Sequence, residues 1–70
     1  MRREPLNSRT VRSLGYDPSD SILEVEFHDG RVYQYYLVPD AVVLGLLAAD
    51  SIGHYMNEHV IGKYPYREVS

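Results

Sequence analysis

The densest set of chemically capable side chains lies late in the chain, where His54, Glu58 and His59 follow Ser51 within nine residues. The chemistry to test is a metal helix, in which two histidines four residues apart share a face and a glutamate serves as general base. His54 and His59 are five apart, so at 3.6 residues per turn they diverge by about 140°. His54 and Glu58 do share a face, as ordinary surface pairs do. Too few ligands converge for zinc, and no metal is expected. Nucleophilic catalysis fares no better. No serine sits in a Gly-x-Ser-x-Gly frame, and no phosphate loop or dinucleotide fingerprint is present. The expectation is a protein that is not an enzyme and carries no cofactor.

Tyrosine is the compositional anomaly: seven Tyr against one Phe and no Trp. A tyrosine offers a flat ring with a polar tip. It can stack an unpaired base, anchor a protein interface, or sit at a core rim with its hydroxyl wet. Tyr64 and Tyr66, flanked by Lys63 and Arg67, form the one aromatic and basic cluster.

The elements that must position these groups belong to one small domain. Seventy residues bury only about 60% of the surface the unfolded chain exposes, so nearly every large apolar residue is needed. At 44% hydrophobic and 24% charged the chain is too apolar for disorder. Without cysteine no disulfide supports the core, which favours a cytoplasmic setting. The start lacks the apolar stretch of a signal peptide, and the longest apolar run, residues 41–49, is too short to span a bilayer, so no membrane partner is expected. The net charge of −3 argues mildly against nucleic acid. Its distribution is uneven, however: residues 1–16 carry +3, residues 17–30 carry −5 and the rest −1.

Residues 1–8 read as a flexible lead, and residues 9–70 as a single domain. A first strand covers residues 9–16, with a bulge or bend near Gly15. Asp17-Pro18-Ser19-Asp20 is a turn. Residues 21–27 alternate strictly, with Leu23, Val25 and Phe27 on one face and Glu24, Glu26 and His28 on the other. Asp29-Gly30 marks a hairpin into a strand over residues 31–38. A two-residue loop places Val32, Gln34 and Tyr36 on the core face. A three-residue loop places Tyr33, Tyr35 and Leu37 there and puts Gly30 in a left-handed position. The second avoids burying the Gln34 amide and is preferred.

Pro39 and Asp40 open a helix that runs to about Ala49. Asp50 or Ser51 caps a second helix, terminated by Gly62. Ile52, Tyr55, Met56 and Val60 form its apolar stripe, with His59 inside it. The first helix is apolar nearly all round, so it is either sandwiched or offers a surface to a partner. The tail, residues 63–67, is extended. The fold class is α+β: a three-stranded antiparallel sheet followed by two helices packed on it.

Leu14-Gly15-Tyr16-Asp17, Leu23-x-Val25-x-Phe27, Gly30-x-x-Tyr33-x-Tyr35, Val38-Pro39, Ala49-x-Ser51-x-Gly53-x-Tyr55-Met56-Asn57 and Val60-x-x-x-Tyr64 appear in that order. The ordered set resembles the KTSC domain, a small family named after the C-terminal domain of some lysyl-tRNA synthetases and found also as free-standing bacterial proteins. The resemblance covers residues 8–67. It implies a binding domain without established chemistry, for which the synthetase context suggests RNA. Tyr33 and Tyr35 match the family's Tyr-x-Tyr signature and are expected to be structural. Ile52, His54 and Ile61 stand where basic residues are more usual. The expected RNA contacts are Arg9, Arg12, Arg31, Tyr36, Lys63, Tyr66 and Arg67. The alternative is a protein-interaction or self-association module using the apolar helix or an open sheet edge.

Overall fold

In the computed structural model, which describes residues 1–70, the alternation of residues 22–27 becomes the central strand of the sheet. We number the strands β1 (Glu4–Pro5), β2 (Val11–Asp17), β3 (Ile22–Phe27), β4 (Val32–Tyr35) and β5 (Tyr66–Glu68), with α1 (Asp40–Ala48) and α2 (Ile52–His59) between β4 and β5. The sheet is antiparallel in the order β1-β2-β3-β4-β5.

The hairpin adopts the three-residue loop. The Phe27 amide donates to the Arg31 carbonyl at 2.9 Å and the Gly30 amide to the Phe27 carbonyl at 3.0 Å. Gly30 takes φ 91°, a value a side chain would strain. Leu23 then pairs with Tyr35 and Val25 with Tyr33, so both signature tyrosines share the core face with the apolar residues of β3. Leu37, expected on that face, is instead 71% exposed. Its φ of 63° turns the chain out of the sheet after Tyr35, breaking the alternation.

The expected three strands are five. The additional two come from the ends of the chain. Pro5 suits an edge strand because no N–H is needed there, and the Leu6 amide donates to Arg12 at 2.9 Å. What holds this arm is a distant contact. The Arg3 guanidinium crosses Gly15 to reach Glu24 at 2.6 Å and Ser13 Oγ at 3.0 Å. Gly15 is required for the crossing, since a Cβ there would lie 2.5 Å from the Arg2 carbonyl oxygen. The expected irregularity in β2 is a bulge between Val11 and Ser13 rather than at Gly15. At the other edge β5 pairs with β4, Tyr35 opposite Tyr66 and Gln34 opposite Arg67.

The outer face of the sheet is a bonded polar layer. Ser13 Oγ donates to Glu26 at 2.9 Å, Gln34 Nε2 donates to Glu24 at 2.8 Å, and the Tyr36 hydroxyl donates to Gln34 Oε1 at 3.0 Å. Glu24 is only 8% exposed, so its charge depends on Arg3 and Gln34. Val32 is buried on this face as well.

The helices cover the other face. Val43 and Leu46 from α1, Met56 from α2 and Val60 just beyond it pack with Val11, Leu14, Leu23, Val25, Tyr35 and Val38 in one cluster. Ser51 is the cap of α2: its Oγ accepts from the His54 amide at 3.2 Å. The Tyr16 hydroxyl lies 2.6 Å from the Val38 carbonyl and 2.9 Å from an Asp40 carboxylate oxygen, tying β2 to the start of α1. Burial, then the Asp40 carboxylate, raises the Tyr16 pKa. The first helix is covered on one side only, leaving Leu44 and Leu47 66% and 52% exposed. His59, placed in the apolar stripe by the sequence, is exposed, its ring 4.4 Å from that of Tyr55.

Candidate functional site

Spacing of two residues along β4 puts Tyr33 and Tyr35 on one face, 6.3 Å apart and nearly parallel at 21°. Strand pairing brings in two more rings. Phe27, at the hairpin, meets Tyr33 edge-on at 5.7 Å and 81°. Tyr66, opposite Tyr35 in the ladder, leans over both tyrosines at 5.8 and 6.0 Å, tilted by 38° to each. The helices do not reach this end of the sheet fully. A cleft of about 440 Å³ remains, walled by these four rings, with Ile61 and Gly62 from the turn after α2 on one side and Asp29 and Arg31 on the other.

The rings differ in exposure. Tyr35 is 3% exposed and belongs to the core, whereas Tyr66 is 62% exposed. Burial, followed by the fields of Tyr33 and Tyr66, pushes the Tyr35 pKa up to about 12. Tyr35 is therefore a neutral wall. Arg31 is the cleft's cation. A hydrogen bond with the Tyr33 side chain and then the charge of Glu68 raise its pKa, and Asp29 lies 3.9 Å from its Nε. The carboxylates beside it partly offset its charge. The arrangement can stack a flat ring or a cation and offer one positive group at the rim.

Of the seven residues expected to contact RNA, only Arg31 and Tyr66 line this cleft. Lys63 is exposed in the turn before β5, and Arg67 is exposed on β5 across from Gln34 on the outer face. Tyr36 is half-buried, with its hydroxyl on Gln34. Arg12 is exposed at the β2 bulge. Arg9 lines a separate, mostly polar recess of about 400 Å³ between residues 7–10 and the junction of the two helices. Phe27, Tyr33 and Tyr35, which the sequence marked as core or structural, also wall the cleft. The Tyr-x-Tyr spacing predicts their shared face, but nothing local to the sequence places Tyr66 over them. His54 and Glu58 form an exposed pair at 3.8 Å, and no group of three His, Cys, Asp or Glu side chains is close enough to hold a metal ion. No helix is long and apolar enough to cross a membrane.

A five-stranded antiparallel sheet with two helices on one face and an aromatic cleft at the hairpin end defines a small α+β domain of the kind the motifs anticipated. The family model of the KTSC domain matches residues 7–64, and the chain belongs to that family. The crystal structure of a KTSC domain protein from Yersinia pestis superposes with a TM-score of 0.93 at 33% identity, covering 99% of this chain and 97% of that one. An uncharacterized protein of Stutzerimonas stutzeri is 53% identical over 58 residues, 83% of this chain and 82% of the relative. A lysine–tRNA ligase of Nostoc punctiforme is 32% identical over 60 residues. Those residues are 86% of this chain but 11% of the ligase.

Proposed function

We propose that the chain is a non-catalytic binding module that contacts RNA, acting in the cytoplasm. The observation that carries this reading is the open cleft in which Tyr33, Tyr35, Tyr66 and Phe27 surround an accessible space with Arg31 at its rim. Aromatic faces beside a guanidinium are the elements from which single-strand binding surfaces are built. Lys63 follows Gly62, which lines the cleft, whereas Arg67 faces the outer side of the sheet with Gln34 and would meet only RNA that passes round the β5 edge. Arg9, Arg12 and Tyr36 lie outside the cleft and would meet RNA only in a second, separate contact. The occurrence of a similar segment in a lysine–tRNA ligase, an enzyme whose substrate is tRNA, supports the same ligand.

The test is an amide-shift NMR titration with tRNA and with single-stranded RNA at two salt concentrations. Shifts at the hairpin and β5 that weaken with salt are expected. A spectrum unmoved by either RNA at low ionic strength would leave the second reading in place. That reading is a protein-interaction or self-association module, and one observation favours it: Leu44 and Leu47 of α1 are 66% and 52% exposed, large apolar side chains left in water on one short helix. A concentration-dependent sedimentation coefficient, abolished by Leu44→Gln, would support it.

A further inference from the structure

We infer that the aromatic cleft is a site for one unpaired nucleobase of single-stranded RNA, held mainly by stacking, with Arg31 meeting a single phosphate. The inference rests on the RNA reading above and names the form of RNA that the site takes. Its basis is the shape and charge of the cleft. The space of about 440 Å³ falls within the range of small-ligand pockets, and it is concave. A base can enter a concave aromatic site only if it leaves its own stack. A duplex keeps its base faces covered and presents phosphates instead, and its deep major groove cannot be read by side chains. For phosphates the cleft has little to offer. Arg31 is the only cation lining it, and Asp29 at 3.9 Å offsets part of that charge. The rings, by contrast, are well placed. Tyr66 is 62% exposed and tilted 38° from both tyrosines beneath it, so its face is open rather than spent on a parallel stack. Arg12, at the β2 bulge, lies three strands from β5, about 14 Å at the usual strand spacing, and does not share the site.

These features set the salt dependence. A single-strand contact to one phosphate gives a slope of log K against log salt of about −0.7, whereas engagement of Arg9, Arg12, Arg31, Lys63 and Arg67 together would give about −3.5. The slope therefore separates a local site from a diffuse basic surface.

The experiment uses the full chain with a short single-stranded RNA, the same RNA annealed to its complement, and an RNA strand of the same length that is abasic at every position. NMR reports the ring protons of Tyr33 and Tyr66, and fluorescence titration at several salt concentrations gives affinity. Expected are ring-proton shifts with the single strand, a slope near −0.7, and loss of binding to the duplex and the abasic strand. Tyr66→Ala is expected to weaken binding about tenfold or more, with melting showing that the variant is folded. Arg31→Gln flattens the slope while the ring shifts persist, so the inference does not hang on one variant. Equal binding of duplex and single strand, or a slope near −3.5 with shifts centred on Arg9 and Arg12, overturns the cleft as a base site and leaves the RNA reading standing. Silence toward all three RNAs overturns both.

Discussion

Replacing Tyr35 by alanine tests whether the signature tyrosine acts through the fold. The residue is 3% exposed, and it belongs to the ten-residue core cluster with Leu23, Val38 and Met56. Truncating a buried aromatic costs about 3–5 kcal/mol, and the contacts with Tyr33 and Tyr66 at 6.3 and 6.0 Å are each worth up to about 1 kcal/mol beyond burial. A central figure of about 4 kcal/mol follows. Unfolding entropy of about 2.1 cal/mol/K per residue gives about 0.15 kcal/mol/K for a chain of 70 residues. The melting temperature should therefore fall by roughly 25 °C, enough to leave a small domain largely unfolded near body temperature. Tyr36→Ala removes a half-buried ring and one bond to Gln34, and should cost about 1 kcal/mol, or about 7 °C. Circular-dichroism melts and urea midpoints on both variants provide the measurement. A Tyr35→Ala melt within about 7 °C of wild type, or a larger loss from Tyr36→Ala, would refute the assignment of the two faces of β4.

The raised Tyr35 pKa makes stability sensitive to alkali. The unfolded phenol ionises near 10 and the folded one near 12, so within that window the unfolded state has lost the proton that the folded state keeps, and stability falls as pH rises. Tyr35→Phe should flatten this loss in urea melts taken across the window; Tyr16, whose pKa is also raised, contributes with the same sign and sets the residual slope. Arg3→Ala leaves the 8%-exposed Glu24 with only Gln34 as partner and should cost about 1–3 kcal/mol. The double variant with Glu24→Gln should recover part of that, and strict additivity would show that the 2.6 Å pair carries no coupling. Gly15→Ala drives a methyl group to 2.5 Å from the Arg2 carbonyl oxygen and should release the N-terminal arm without unfolding the core. The readout is rapid exchange of the Leu6 amide, otherwise bonded to Arg12, while the Val25 amide stays protected.

The central hairpin was legible because its signals are local. Leu23, Val25 and Phe27 alternate with carboxylates, Asp29-Gly30 supplies the turn, and keeping Gln34 off the core face selects the register that the structure adopts. The same holds for the start of α2, where a serine precedes an apolar stripe. Leu37 shows where alternation fails, because a left-handed residue reverses the chain before the pattern can continue. Phe27 looked like a core residue from its position and is half-buried, since the hairpin end extends past the helices that cover the rest of the sheet.

The α+β class, the family, the common face of Tyr33 and Tyr35 and the pair of helices that follow can all be read from the order of residues. That the sheet has five strands and that an aromatic cleft opens at its hairpin end cannot, because both depend on partners far apart along the chain. β1 holds only two residues and owes its place to Arg3 meeting Glu24, 21 positions away. β5 holds three and is fixed by pairing with β4. Segments so short have almost no propensity of their own, so partners remote in sequence settle whether they form. Tyr66 closes over Tyr33 and Tyr35 only once that last strand is in its ladder.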